Sequence, residues 1–221
     1  MIITIDGPSG TGKSTIAKLV AKKLGFVFFN TGAMFRAVTY AFINNNLAFQ
    51  DTESLKECLR HLNYEIKNED GQEHYILNGE DITDEIRSQI ITTHVSEISA
   101  MDFVRSELLQ WQQKLAQNMN AVFEGRDMGT VVFPDADMKV FLTASAQVRA
   151  TRRYLELIGK NDFEMSQEQI LQDIIRRDAY DSSRAIAPLK KADDAFLLDC
   201  TNLNIEQVVE VIIQQWYQKR L

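Results

Sequence analysis

The sequence predicts an α/β fold: a doubly wound, mostly parallel sheet with helices on both faces and an inserted lobe. Two observations support this fold class. Short apolar runs alternate with stretches of helical periodicity near both ends of the chain. Between residues 64 and 85 this alternation stops, and turn signals separate short segments in which apolar and polar residues alternate. The middle of the chain is therefore expected to form a lobe outside the parallel sheet.

The N-terminal part of the chain has a β-α-β-α pattern. Apolar, β-branched residues predict a buried strand at residues 2–5, and a second apolar run predicts a strand at residues 26–30. Apolar residues recur at helical spacing after each run, which predicts helices at residues 13–24 and 32–44. Successive β-α units favour a parallel sheet, because each helix returns the chain to the end of the sheet where the next strand starts.

The central and C-terminal elements follow from the same periodicities. The turn signal Asn78-Gly79 predicts that the insert at residues 64–85 is an antiparallel hairpin or three-stranded lobe. Asn204 and Gln207 predict a capping box at the start of the last helix. The remaining predicted elements are helices at 51–62, 87–100, 102–117, 145–158, 166–181 and 205–219, and strands at 121–125, 138–144 and 195–199.

Length and composition fit one compact domain spanning residues 1–221, because 45% of the residues are hydrophobic and 25% are charged. The net charge of −7 argues against binding to a nucleic acid polymer or a membrane. The absence of a signal-peptide pattern favours a cytoplasmic protein, and the absence of coiled-coil heptads favours a monomer. The two cysteines, Cys58 and Cys200, are expected to be free thiols.

Residues Gly7–Ser14 read G-P-S-G-T-G-K-S and fit the phosphate-binding loop (P-loop) pattern G-x-x-x-x-G-K-[ST]. The motif follows a predicted strand and opens a predicted helix, so backbone N–H groups and the positive helix end can bind phosphate. Lys13 is expected to reach the β- and γ-phosphates of ATP, Ser14 to bind Mg²⁺ and Thr15 to contact the α-phosphate. The predicted ATP-binding residues of this loop are Gly7, Pro8, Ser9, Gly10, Thr11, Gly12, Lys13, Ser14 and Thr15.

A P-loop alone does not identify a function, because kinases, GTPases and nucleic-acid motors share it. The chain contains neither N-K-x-D nor D-x-x-G, which argues against a guanine-specific switch. A small-molecule kinase is the favoured interpretation. Two alternatives stay open: a kinase for another acceptor, such as dTMP or a small sugar or acid, and a regulatory or RNA-associated NTPase.

An acceptor that carries phosphate requires cations, and arginine fits phosphate oxygens with a planar fork. Arg126 follows the predicted strand at 121–125, and ligands collect at the carboxyl ends of strands in open α/β sheets. For the other arginines a role on the protein surface is the alternative: an ion-pair ladder for Arg177, Asp181 and Arg184, and an exposed helix face for the arginines between 149 and 153. Those arginines, with an intervening carboxylate, are Arg36, Arg149, Arg152, Arg153, Arg177, Asp181 and Arg184.

Four tracts resemble bacterial cytidylate kinases, which are P-loop nucleoside monophosphate kinases: ITIDGPSGTGKST, NTGAMFRAV, EGRDMGTVVFPDA and RRDAYDSSRAIAPLKKADDAFLLDCT. The resemblance covers essentially the whole chain. It implies transfer of the γ-phosphoryl group of ATP to CMP or dCMP, giving ADP and CDP or dCDP, with Mg²⁺ as cofactor. It also implies a P-loop kinase fold with an NMP-binding lobe at about 31–105 and a short lid at about 153–168.

The resemblance also implies roles for individual residues. Arg36, Arg126 and Arg184 would bind the phosphate of CMP, Asp181 would bind the sugar with Arg177 close by, and the cytosine would be bound by Thr31, Ser96, Arg105 and Asp127. The expected catalytic residues are Lys13, Arg126, Arg177 and Arg184, with Arg149 and Arg153 as further contacts to ATP.

Two residues depart from the pattern that the resemblance implies. Thr31 occupies a position where serine is expected, but it keeps the hydroxyl group. Glu124 occupies a position where aspartate is expected, and whether Glu124 or Asp6 assists Mg²⁺ is left open.

The chemistry of cytosine supports the role of Asp127 independently. Cytosine donates from its N4 amino group, which a carboxylate accepts, whereas uracil places a carbonyl oxygen there. A mismatch of two acceptors in a dry site is strongly unfavourable. We therefore expect CMP and dCMP to be preferred over UMP. Neighbouring side chains at a strand exit tend to point apart, so Arg126 is expected to face phosphate while Asp127 faces the base.

Overall fold

The computed structural model of the protein describes residues 1–69, 72–158 and 165–220. Within these ranges, eight strands and eight α-helices follow in the order β1 (Ile2–Asp6), α1 (Lys13–Leu24), β2 (Val27–Asn30), α2 (Thr31–Asn44), α3 (Thr52–Arg60), β3 (Tyr64–Glu69), β4 (Gln72–Leu77), β5 (Glu80–Asp81), α4 (Gln89–Ile98), α5 (Asp102–Leu115), β6 (Ala121–Gly125), β7 (Met138–Thr143), α6 (Ala146–Leu157), α7 (Gln167–Ser183), β8 (Phe196–Asp199) and α8 (Ile205–Gln218).

The chain forms two compact units, and the first comprises Met1–Asn30 and Leu115–Leu221. Its five strands form a sheet in the order β2-β6-β1-β7-β8, in which every neighbouring pair is parallel. β1 lies at the centre, where Asp6 is in register with Gly125 of β6. The carboxyl ends of β1 and β6 therefore lie side by side, and the segments that leave them begin at the same edge of the sheet. The predicted α/β fold with a parallel sheet is confirmed.

One face of the central strand β1 packs against α1 and α8. Ile3 and Ile5 of β1 pack with Val20 of α1 and Ile212 of α8, all fully buried. Thr4 points to the other face, because successive side chains of a strand alternate. Its hydroxyl oxygen lies where a side chain on Gly129 would have to fit. The apolar strands thus bury both faces of the sheet, as parallel strands require.

The second unit comprises Thr31–Lys114 and has its own core and sheet. Its three strands are antiparallel in the order β3-β4-β5. Tyr75 and Leu77 of β4 pack with Ala37 of α2 and with Ile86. The predicted insert is confirmed as a three-stranded antiparallel sheet. The predicted NMP-binding lobe, residues 31–105, lies within the bounds of this unit.

The turn between β4 and β5 shows why Asn78-Gly79 was informative. Both residues have positive φ, 52° at Asn78 and 88° at Gly79, as in a two-residue type I′ turn. Asparagine and glycine adopt this left-handed region at the lowest cost. The predicted capping box at Asn204 and Gln207 is also confirmed, since each side chain accepts the other's backbone N–H.

Several predicted boundaries differ from the structure by a few residues, and two short helices were not predicted. α3 starts one residue after its N-cap Asp51 and ends at Arg60, two residues before the predicted end. A 3₁₀ turn forms at Glu85–Arg87 and a π-helical turn at Met128–Val132. Such single turns carry too few residues to show a periodicity.

The predicted lid at about 153–168 cannot be compared as a whole, because residues 159–164 lie outside the described ranges. Both cysteines are free thiols, as predicted. Among the described helices, none is long and apolar enough to cross a bilayer.

Candidate active site

The P-loop leaves β1 at Gly7 and enters α1 at Lys13. A side chain on Gly7 would place its Cβ 2.2 Å from the Leu142 carbonyl oxygen of β7, so only glycine fits there. Gly12, with φ of 86°, is the N-cap of α1. The first N–H groups of α1 have no partner within the helix and carry its positive end, which suits them to bind an anion.

Lys13 is a buried cation within this loop. Its Nζ donates to the Pro8 carbonyl at 2.8 Å, and the Thr11 hydroxyl donates to the same oxygen at 3.1 Å. Burial, together with the positive charges of Arg126 and Arg177, lowers the pKa of Lys13 to about 7, although Glu124 and Asp6 oppose this change. A bound polyphosphate would supply the negative charge that favours the protonated amine.

Ser14 is joined to the end of β6 by a short hydrogen bond. Its hydroxyl donates to Glu124 Oε1 at 2.6 Å, and Glu124 is buried. Mg²⁺ binds oxygen donors and usually keeps several waters and substrate phosphates in its shell. A hydroxyl and a carboxylate placed together beside the phosphate loop fit such an ion. The described residues contain no cluster of three or more His, Cys, Asp or Glu side chains, so an all-protein cage is absent from that part of the chain.

Asp6 anchors the segment that follows β6. Its two carboxylate oxygens accept the backbone N–H groups of Met128 at 2.9 Å and Gly129 at 2.8 Å. Burial, together with the negative charge of the nearby Asp127, raises the pKa of Asp6 to about 7. The two N–H groups and Lys13 oppose the rise in this pKa but do not cancel it. Asp6 therefore fixes the π-helical turn that begins directly after Asp127.

Arg126, Asp181 and Arg184 form a buried charge cluster. Arg126 Nε donates to Asp181 Oδ2 at 3.1 Å, and Arg184 Nη2 donates to Asp181 Oδ1. Asp181 is only 1% exposed, and two guanidinium groups offset the cost of burying its charge. Arg177 lies one helical turn before Asp181 on α7. Cations are thus concentrated beside the P-loop, in a protein whose net charge is −7.

Arg149 and Arg153 have different surroundings on α6. Arg149 is buried and donates to the carbonyl oxygens of Ala144 and Ser9, each at 2.9 Å. Arg153 is partly exposed and pairs with Glu156 at 2.8 Å. Arg152, which lies between them, donates to the carbonyl oxygens of Cys200 and Leu203 and holds the segment after β8.

The remaining predicted site residues belong to the second unit. Arg36 donates from Nη1 to the Ile86 carbonyl at 2.9 Å and to the Thr92 hydroxyl at 3.0 Å. Arg105 is buried, donates to the Ser99 carbonyl at 3.0 Å and lies over the ring of Phe35. Two hydroxyl residues complete this set, Thr31 at the start of α2 and Ser96 on α4.

The model of the family described as cytidylate kinase matches residues 3–218 of this chain. The chain belongs to the cytidylate kinase family. It is 48% identical over 217 residues to a cytidylate kinase of Protochlamydia amoebophila, covering 97% of this chain and 95% of that protein. It is 44% identical over 214 residues to a cytidylate kinase of Carboxydothermus hydrogenoformans, covering 97% and 96%.

Solved structures of more distant proteins share the fold. The shikimate kinase of Bacteroides thetaiotaomicron superposes with a TM-score of 0.50 at 13% identity, covering 97% of each chain. At this identity the similarity concerns the α/β kinase fold alone.

The positions that the cytidylate kinase resemblance selected divide between the two units. In the first unit, the structure brings together Lys13, Ser14, Arg126, Asp127, Arg177, Asp181 and Arg184, and the charges of Arg126 and Arg177 act directly on Lys13. The second unit contains Thr31, Arg36, Ser96 and Arg105.

Two carboxylates beside these residues, those of Asp178 and Asp6, make contacts that the sequence did not predict. Asp178 follows Arg177 in the R-R-D tract, but nothing in its spacing signals its hydrogen bond to Ser9. The role of Asp6 as an anchor for Met128 and Gly129 also depends on a contact across more than a hundred residues. The only available signal was position, since both carboxylates adjoin a recognised motif.

Proposed function

We propose that the protein transfers the γ-phosphoryl group of ATP to CMP and dCMP, giving ADP and CDP or dCDP. The observation that carries this proposal is the P-loop lysine lying within the electrostatic reach of Arg126 and Arg177, next to the Arg126–Asp181–Arg184 cluster. Lys13 and the P-loop suit a polyphosphate donor, and the arginines of the cluster suit a phosphate-bearing acceptor. Membership of the cytidylate kinase family supports cytidylate as that acceptor.

ATP would bind through the P-loop. The N–H groups of residues 7–15 would surround the phosphates, and Lys13 would turn from the Pro8 carbonyl to the β- and γ-phosphates. Thr15, exposed on the first turn of α1, would contact the α-phosphate. Arg153 is a further proposed contact to ATP, because it is partly exposed and can exchange its pairing with Glu156.

Mg²⁺ would be held by the Ser14 hydroxyl, with Glu124 orienting water around it. When bound, this ion would neutralise charge on the β- and γ-phosphates. Glu124 is favoured over Asp6 for this task, because Glu124 contacts Ser14 directly whereas both oxygens of Asp6 accept backbone N–H groups.

The acceptor phosphate would be bound by Arg126, Arg177 and Arg184, with Arg36 contributed by the second unit. Asp181 would hold Arg126 and Arg184 in position and would bind the sugar hydroxyl of CMP. These cations would offset the repulsion between two anionic substrates and align the acceptor oxygen with the γ-phosphorus. The chemistry requires no covalent enzyme intermediate.

The cytosine would be recognised by Asp127 through its N4 amino group, and by Arg105, Thr31 and Ser96 through its N3 and O2 acceptors. Asp127 and Arg105 are buried, so a base whose edge cannot form hydrogen bonds with these two side chains would be bound less well. Residues 31–105 would act as the NMP-binding lobe. We further propose a monomeric, cytoplasmic enzyme.

A coupled assay of ADP release with a panel of nucleoside monophosphates and Mg²⁺ tests the proposal. We expect CMP and dCMP to stimulate ADP release at least ~100-fold more efficiently than UMP, because uracil would place a carbonyl oxygen against the Asp127 carboxylate. Shikimate and dTMP serve as unrelated acceptors and should not stimulate release. Equal stimulation by UMP would contradict the role of Asp127, and no stimulation by any monophosphate would contradict the kinase.

A further inference from the structure

The backbone N–H and carbonyl of Ser9, in the P-loop, each form a hydrogen bond with a side chain from a different helix. Its N–H donates to Asp178 Oδ1 of α7 at 3.2 Å. Its carbonyl accepts from Arg149 Nη1 of α6 at 2.9 Å. The P-loop is therefore attached to α6 and α7 as well as to the strand and helix that it joins.

Arg149 and Asp178 also bind each other, which closes the network. Arg149 Nη1 donates to Asp178 Oδ2, while Arg149 Nε donates to the Ala144 carbonyl at 2.9 Å. The side chains are only 8% and 19% exposed. Gly10 allows the close approach, because a Cβ there would lie 3.1 Å from Arg149 Cβ. Three hydrogen bonds and one ion pair thus join four residues, Ser9, Ala144, Arg149 and Asp178, with little exposure to solvent.

A buried ion pair of this kind contributes more to geometry than to net stability. The cost of desolvating two charges offsets most of their attraction, so replacing both partners together is often close to neutral. What the pair does supply is a defined position for each bonded group. Asp178 is adjacent to Arg177 and lies less than one helical turn before Asp181. The same helix therefore carries the attachment to the P-loop and part of the buried cation cluster.

We propose that Arg149 and Asp178 are positioning residues that fix the P-loop at Ser9 relative to α7. This inference rests on the proposed kinase function, in which α7 carries Arg177 and Asp181 beside the phosphates. The pair would set the distance between the γ-phosphate held by the P-loop and the acceptor phosphate held from α7. A shift of about 1 Å in such an alignment costs about 10²-fold in rate while leaving binding largely unchanged.

This role differs from the one that the sequence predicted for Arg149, a direct contact to ATP. A direct ligand of ATP would affect the affinity for ATP, and its effect would be independent of Asp178. A positioning residue would affect turnover, and its effect would disappear once Asp178 is changed.

The kinetic test compares Arg149→Lys, Asp178→Asn and the double variant with the unmodified protein. We expect each single variant to lower kcat by ~10- to 100-fold, with KM for ATP and for CMP changed by less than ~3-fold. The double variant should be no slower than the slower single variant. Asp173→Asn is the matched control, because Asp173 forms an exposed ion pair with Arg176 on the same helix. It should leave kcat unchanged.

Two kinetic outcomes would overturn the proposal. The first is a large rise in KM for ATP in Arg149→Lys alone, with additive effects in the double variant, which would make Arg149 a direct ligand. The second is an unchanged kcat in both single variants, which would leave the network without a role in turnover.

Amide hydrogen exchange at Ser9 provides a readout that does not depend on activity. The Ser9 N–H should be protected in the nucleotide-free protein, and Asp178→Ala should speed its exchange at least ~10-fold, whereas Asp173→Ala should not. Equal exchange in the two variants would overturn the positioning role. If the unmodified protein failed to phosphorylate CMP while Ser9 behaved as expected, the proposed function alone would fail, and the attachment of the P-loop to α7 would stand.

Discussion

Lys13 and Asp181 are both buried charges, and each depends on different neighbours. Asp181 accepts hydrogen bonds from Arg126 and Arg184, which balance its charge within the protein. Lys13 donates to a neutral carbonyl, and burial with nearby cations lowers its pKa to about 7. The negative charges of Glu124 and Asp6 favour the protonated amine but do not offset these two effects. An anionic ligand in the P-loop would complete the balance, which is the residue-scale reason for the proposed ATP site.

Replacing Lys13 tests this reasoning. We expect Lys13→Ala to lower kcat by on the order of 10²-fold or more, because a preorganised charge on the transferred phosphoryl group is lost. The measurement is steady-state ADP release at saturating ATP and CMP. Lys18→Ala, an exposed lysine on the same helix, is the control and should retain full turnover. Retained activity in Lys13→Ala would remove Lys13 from the mechanism.

Asp127 carries the proposed discrimination between bases. Asp127→Asn should lower kcat/KM for CMP by ~10- to 100-fold, because a charge-assisted hydrogen bond to the N4 amino group is weakened. It should lower kcat/KM for UMP far less, since the asparagine amide can donate to the O4 of uracil. An assay in which CMP and UMP compete measures the ratio of their kcat/KM values directly.

The control for this experiment is Asp135→Asn, an exposed aspartate in the turn before β7. This variant should keep the preference of the unmodified protein. A preference for CMP that survives in Asp127→Asn would place the recognition of cytosine elsewhere.

Single elements differ in how strongly their own residues specify them. The Asn78-Gly79 turn is specified locally, since both residues accept positive φ. Apart from the chain neighbours of Gly79, no atom of the described residues lies within 4 Å of where its Cβ would stand. The π-helical turn at Met128–Val132 depends on distant residues. Asp6 accepts two of its N–H groups, and Gly129 must lack a side chain because Thr4 and Lys139 lie within 3.0 to 3.3 Å of the Cβ position.

A glycine replacement separates backbone strain from packing in the first of these elements. Gly79→Ala should destabilise the protein by about 1 kcal/mol, because alanine at positive φ is strained while the added methyl group meets open space. Urea denaturation measures the change. Glu80→Ala, one residue later and exposed, is the control and should change the free energy of unfolding by less than about 0.5 kcal/mol. An equal effect in both variants would contradict the strain argument.

The same contrast explains how well the elements could be predicted. α1 was predicted at residues 13–24, and the structure has it at Lys13–Leu24, because a glycine precedes it, a glycine follows it and its apolar face is periodic. The three-stranded sheet was also predicted, since its turn residues are diagnostic. The π-helical turn was missed because no local pattern encodes it. It exists only once β1, β6 and β7 have brought Asp6 and Lys139 beside it.

At the scale of the whole molecule, the protein combines a negative net charge with buried titratable groups in the first unit. Burial raises the pKa of Asp6 to about 7, above its ordinary value of 3.8, so folding favours the protonated form. The resulting contribution to stability is complete below about pH 3.8 and is lost as the pH rises to about 7. The asparagine of Asp6→Asn does not titrate, so the stability of this variant lacks this dependence on pH.

We therefore expect the unfolding free energy of Asp6→Asn to increase, relative to that of the unmodified protein, as the pH rises from about 5 to about 8. Two pKa units lie between about pH 5 and the pKa of about 7, and each corresponds to about 1.4 kcal/mol, so the expected gain is about 3 kcal/mol. Urea denaturation of both proteins without nucleotide gives the difference. A difference that does not change with pH would contradict the raised pKa.

The sequence by itself determined the order of the elements, the P-loop, the antiparallel insert and the family, because each of these rests on neighbouring residues or on short spacings. It also selected the arginines that form the buried cluster, through their motifs. Only the tertiary structure decided which groups the site residues contact. Arg126 contacts Asp181, Ser14 contacts Glu124, and Arg149 contacts Ser9 and Asp178. These contacts join residues that lie 29 to 140 positions apart in the sequence. Such partners become neighbours only when parallel strands align their carboxyl ends, so no local pattern of residues can specify them.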